Sequence, residues 1–137
     1  MEIINGEIVE GGMEIINGEV QGAGIGYFDV QYDSGSSAIT MTSDSFAKRY
    51  VIDTTSSKVI NLLPCAAGHI DKAVEIVHMN TGNITINASG SDTIADSSAG
   101  GTLMISSGIG DGAMVRLVVD TATSWGYGVV AGPWATA

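Results

Sequence analysis

Beyond Gly24 the chain is cut into short runs of β-branched and apolar residues, with turn chemistry returning about every eight to twelve positions. Pieces of that size are strands, since a helix needs a sustained 3.6-residue apolar pattern that Gly and β-branched residues here interrupt. Nine strands are expected, at 25–32, 38–42, 49–53, 59–63, 73–79, 83–88, 102–106, 113–119 and 125–130. Turns are expected at Asp33-Ser34-Gly35, Thr81-Gly82-Asn83, Ser89-Gly90-Ser91, Gly108 to Gly112 and Gly132-Pro133. Alternation assigns faces: Val74, Ile76 and His78 share one, and Val115, Leu117 and Val119 share another with Arg116 and Val118 opposite. One helical turn is expected near Ser43 to Lys48, capped by Ser43 or Asp44. The fold expected is all-β, an antiparallel β-sandwich or barrel of jelly-roll type over residues 25–137.

Residues 1–24 form a separate arm. Met1 to Gly12 (MEIINGEIVEGG) and Met13 to Gly24 (MEIINGEVQGAG) are near-duplicates, each with Asn-Gly between short apolar runs. Asn-Gly suits the positive φ angles of a type I′ turn, so two tandem hairpins are expected. An isolated hairpin buries too little to offset its ordering entropy. The arm is therefore read as an anchor that lends strands to a neighbour's sheet edge, burying Ile3, Ile4, Ile8, Val9, Ile15, Ile16 and Val20; the alternative is an accidental duplication or a second start at Met13, in which residues 1–12 have no role.

The acidity is segregated. Of fifteen Asp and Glu against five Lys and Arg, a net charge of −10, five acids (Glu2, Glu7, Glu10, Glu14 and Glu19) lie in the arm, which has no base. The arm thus carries −5 and the remainder, with ten acids and five bases, another −5. This balance disfavours nucleic-acid phosphates and anionic lipid as partners, and the arm's receiving surface should offer Lys, Arg or backbone N–H groups. Assembly of several copies of so acidic a chain would rest on apolar burial and strand pairing rather than on attraction between charged subunits. One cysteine, Cys65, excludes an intramolecular disulfide. With no run approaching eighteen apolar residues and no basic start, the chain is read as soluble and unprocessed.

The ordered series Tyr50-Val51-Ile52-Asp53, Val59 to Pro64, Asn83-Ile84-Thr85-Ile86, Gly90-Ser91-Asp92-Thr93-Ile94 and Trp125 resembles a β-rich module of bacteriophage virion-surface proteins, found in tail fibres and related appendages. The resemblance spans residues 50–130. It implies a virion structural role, commonly as a homotrimer, without a catalytic centre. The chain has neither a heptad stalk nor a collagen-like repeat. Its size and arm favour a capsid decoration, or cement, protein on the virion surface, partnered by itself and by the major capsid protein or another virion protein. A short tail fibre or tail-tip receptor- or carbohydrate-binding protein is the alternative.

Residues that could carry chemistry are sparse. Cys65, His69 and His78 fall short of the ligand count for zinc, and His78 alternates with core positions. Cys65 has no neighbouring base to activate it. The Gly-rich segments Gly22 to Gly26 and Gly108 to Gly112 lack a following helix and a Gly-Lys-Ser/Thr sequence, so they read as turns rather than phosphate loops. Asp92, Asp96 and Asp111 occupy loops but lack the regular calcium-loop pattern. No cofactor, metal or catalytic residue is assigned. Trp125 and Tyr127 are expected to pack in the core or at a subunit contact, and Trp134, beyond the last strand, is expected to anchor an interface.

Overall fold

A computed structural model describes residues 28–106 and 112–137, together with two short paired segments, β1 (Ile15–Ile16) and β2 (Glu19–Val20). These two pair antiparallel, Ile15 with Val20 and Ile16 with Glu19, as expected for the second Asn-Gly repeat. The first repeat, the start of the expected 25–32 strand, the Gly22 to Gly26 segment and 107–111 lie outside the described residues.

From β3 the chain coils. Strands β3 (Asp29–Asp33), β4 (Ile39–Thr40), β5 (Lys48–Ile52), β6 (Lys58–Asn61), β7 (Ala73–His78) and β8 (Ile84–Asn87) alternate between two sheets, so β3-β5-β7 and β4-β6-β8 are each joined in parallel. Each connection crosses to the other sheet before returning, which gives the chain the spacing that parallel neighbours require. The remaining strands are β9 (Thr93–Ile94), β10 (Thr102–Ile105), β11 (Ala113–Thr121), β12 (Ser124–Ala131) and β13 (Ala135–Thr136). They complete a six-stranded sheet, β3-β5-β7-β11-β12-β9, and a five-stranded one, β13-β10-β8-β6-β4. The antiparallel pairs are β7-β11, β11-β12, β8-β10 and β10-β13, while β12-β9 is again parallel.

All nine expected strands are present and no α-helix occurs among the described residues, so the protein is all-β. The expected antiparallel jelly-roll arrangement is not what the pairing shows: both sheets are mixed and neither closes into a barrel. Two short strands, β9 and β13, are additions. The expected turn is a 3₁₀ turn at Ser43–Ser45 with Thr42 as its cap rather than Ser43 or Asp44, and a second, unexpected 3₁₀ turn lies at Ala67–His69. The Thr42 hydroxyl accepts from the Asp44 N–H while the Ser45 hydroxyl accepts from the Thr42 N–H.

The coil stacks like residues. Across the five-stranded sheet, Ile39, Ile60, Ile86 and Leu103 are successive partners facing the core, and so are Lys58, Ile84 and Ile105 on the neighbouring row. Across the other sheet, Ile76 and Val115 form one buried pair and Val74 and Leu117 another. Both inward faces share a single apolar core, closed on one side by the buried Trp125. Lys58 is the exception in its row, a fully buried ammonium. It donates to Asp33 Oδ1 and the Gly35 carbonyl, each at 2.9 Å, and to the Ser37 carbonyl, so all three of its protons have acceptors. The charged end thereby fastens the 33–37 turn over the end of the stack.

Candidate interaction surface

The outward face of the six-stranded sheet carries an unusual row. Val30, Arg49, Glu75, Arg116 and Val129 are partners in register across β3, β5, β7, β11 and β12. Strict alternation puts Glu75 outside, between the core residues Val74 and Ile76, yet its side chain is fully buried. The two arginines cover it. Arg49 Nε donates to Oε1 at 2.7 Å, while Arg116 donates to Oε2 through Nε at 2.7 Å and Nη2 at 2.6 Å. The arginines remain 42% and 33% exposed, so the carboxylate is desolvated by groups that still reach water.

Local sequence explains how the triad lies flat. A Cβ at Gly128 would come within 2.9 Å of Arg116 Cδ and 3.0 Å of Val118 Cγ2, so glycine leaves the space in which the Arg116 stem rests. The β11-β12 register shifts between Arg116 and Leu117, placing this bare backbone beside the arginine. On the far side, Arg116 Cζ stands 5.0 Å from the centroid of the Phe28 ring, a cation–π contact that brings the chain entering β3 onto this face.

The next row is apolar: Tyr32, Val51, Val77, Met114 and Ala131. Tyr32 and Val30 are among the most exposed large apolar side chains described, at 65% and 59%. At the rim the Tyr32 hydroxyl donates to Asp53, whose other carboxylate oxygen accepts from Asn80 Nδ2 at 2.8 Å. These bonds, Tyr32 first, hold the Asp53 carboxyl below its ordinary value, and the same contact raises the Tyr32 phenol. Two guanidiniums and one carboxylate, ringed by valine, tyrosine and methionine, make a surface suited to protein contact.

The opposite sheet presents a different outward face. Thr40, Asn61, Asn87 and Thr102 line up across β4, β6, β8 and β10, and Asn87 Nδ2 donates to Asn61 Oδ1 at 2.9 Å. Beside them run Val59, Thr85, Met104 and Ala135.

The residues singled out for chemistry are scattered. Cys65 is buried, its N–H donating to Asp92 Oδ2 at 2.8 Å, and burial followed by the Asp92 charge pushes its thiol up to about 12. His69 stacks edge-on against Phe46 with centroids 5.0 Å apart. His78 lies in the core and its Nε2 is 2.6 Å from the Gly82 carbonyl, so that nitrogen carries the proton. Asp92 serves Cys65, Asp96 accepts from the Thr136 hydroxyl at 2.6 Å, and Asp111 lies outside the described residues. Among the described residues no three His, Cys, Asp or Glu side chains gather to hold a metal.

Of the arm residues, Ile3, Ile4, Ile8 and Val9 lie outside the described residues, while Ile15, Ile16 and Val20 belong to the β1-β2 pair. Trp125 is a core residue and Tyr127 is 42% exposed. Trp134 is half-buried against its own subunit's core, with its indole N–H donating to the Ala131 carbonyl at 3.1 Å. Arg49, Glu75, Arg116 and Tyr32 were not expected as site residues, because only strand pairing brings 49, 75 and 116 into one row.

No family model matches the chain, and no curated protein matches it.

Proposed function

We propose that this chain is a non-enzymatic structural protein of the bacteriophage virion surface, a capsid decoration protein that joins the shell or neighbouring subunits through residues 1–24 and exposes its β-domain. The observation that carries this reading is the ordered series of motifs from Tyr50 to Trp125, which resembles virion-surface modules. The outward row of Val30, Arg49, Glu75, Arg116 and Val129 supports it, as a broad apolar and guanidinium surface of the kind used in assembly. A homotrimer is the assembly proposed. The test is to delete Met1 to Gly24 and measure incorporation into particles. Loss of incorporation is expected, and full occupancy by the truncated protein would refute the anchoring role.

A second reading, a short tail-tip protein that binds carbohydrate, is favoured by one observation. The Thr40-Asn61-Asn87-Thr102 row offers hydroxyls and amides in a line on an outward sheet face, the donor and acceptor set that sugar hydroxyls need. Saturable binding to a host glycan, abolished by Asn61→Ala with Asn87→Ala, would select this reading over decoration.

A further inference from the structure

Resting on the reading of residues 1–24 as an intersubunit anchor, we propose that the acidic arm of one copy docks on the outward Arg49-Glu75-Arg116 face of a neighbouring copy. Charge is the first argument. The chain has five bases, of which Lys58 is buried, and two of the other four, Arg49 and Arg116, stand on this one face. The triad they form with Glu75 carries +1, offset across the whole face by Asp53 at its rim, so the attraction for an arm of −5 with no base is local to the two guanidiniums. Glu75 occupies one direction of each guanidinium, leaving further N–H donors on partly exposed side chains for a second carboxylate.

Apolar matching is the second argument. The arm intersperses its glutamates with isoleucine and valine, and the face borders its arginines with Val30, Tyr32, Val51, Val77, Met114 and Val129. Burying those side chains supplies the affinity, and the Arg-to-Glu contacts set orientation.

Reach is the third. Six strands at about 4.8 Å spacing make a face roughly 24 Å across. The residues preceding Phe28, at about 3.3 Å each when extended, exceed that span several-fold. The Phe28 ring on Arg116 sets a described residue four positions beyond Gly24 on this face. Arm and receiving face are different patches of one chain, so the same contact serves a reciprocal two-fold exchange or a head-to-tail ring, and the trimer proposed above uses the second. Two such faces meeting directly would instead set guanidiniums against guanidiniums.

The test is hydroxyl-radical footprinting of the full chain across a range of protein concentrations, beside the full-chain variant Glu7→Lys, Glu14→Lys, Glu19→Lys. Tyr32 and Met114 report on the proposed site, and Met104, on the opposite sheet, is the internal control. The expected result is several-fold slower labelling of Tyr32 and Met114 at high concentration, relieved on dilution and in the variant, with Met104 unchanged. Protection that does not change on dilution would mean that the arm covers its own subunit, and would overturn docking between copies. Equal labelling of Tyr32 and Met114 in both proteins at every concentration would overturn docking on this face altogether. Either failure leaves the anchoring reading itself to be decided separately by particle incorporation of the arm-deleted protein.

Discussion

Arg116 holds Glu75 by two nitrogens on one carboxylate oxygen, 2.7 and 2.6 Å away, on the outward face of a sheet where a carboxylate would ordinarily be bathed in water. The burial of Glu75 is made by its partners, so stability should respond asymmetrically to removing one side or the other. Changing Arg49 and Arg116 together to Met keeps the covering stems but strands the carboxylate, and should cost about 3–5 kcal/mol. Glu75→Gln leaves two arginines that already reach solvent, and should cost about 1–3 kcal/mol. Urea denaturation of the two variants measures the difference, and equal losses would contradict this account of the triad.

Lys58 makes a comparable case inside the core. Lys58→Met retains the buried stem but leaves the Gly35 and Ser37 carbonyls and Asp33 without their donor. A loss of about 1–3 kcal/mol is expected, together with faster amide exchange confined to the 33–37 turn. Exchange that stays slow there would show that the turn does not depend on the ammonium.

The Cys65 thiol, pushed up to about 12 by burial and by Asp92, should stay protonated and unreactive toward a disulfide reagent at pH 8. Modification should then proceed only at the rate of opening. Asp92→Asn removes the charge and should bring the thiol down toward its ordinary value of 9.0 without exposing it. A reaction rate for the native protein equal to that of a free thiol would refute this.

The rim contact predicts a pH dependence of definite sign. Asp53 is held below its ordinary 3.8 by Tyr32 and then Asn80, so its contribution is fully present above the unfolded value. It is lost as pH falls from about that value through the lower folded one. Tyr32 is raised above 10.0, so its contribution holds below that pH and disappears as pH climbs through the raised folded value. In Tyr32→Phe the Asp53 carboxyl should titrate closer to 3.8, as read by carboxyl NMR. An unchanged titration would remove Tyr32 as the leading cause.

Strand positions were legible because burial enforces alternation: Val115, Leu117 and Val119 are all buried, as are Val74, Ile76 and His78. Pairing direction was not legible, because period-two alternation is identical in parallel and antiparallel sheets and a Gly-rich turn can lead to a hairpin or to the other sheet. One local signal did exist. Val59-Ile60-Asn61 and Thr85-Ile86-Asn87 have the same apolar-then-Asn ending 26 positions apart, and the structure stacks them residue on residue. Nothing local marks Glu75, which reads as an ordinary outward acid. Its partners lie 26 residues before it and 41 after it, and only the coil brings them together.

The proposed role as an arm-anchored virion subunit is tested most directly by the amount of this protein in purified particles, with and without residues 1–24. Quantitative mass spectrometry should find the intact chain at a fixed ratio to the major capsid protein and the arm-deleted chain lost from particles. Absence of the intact chain, or equal incorporation of both, would contradict it.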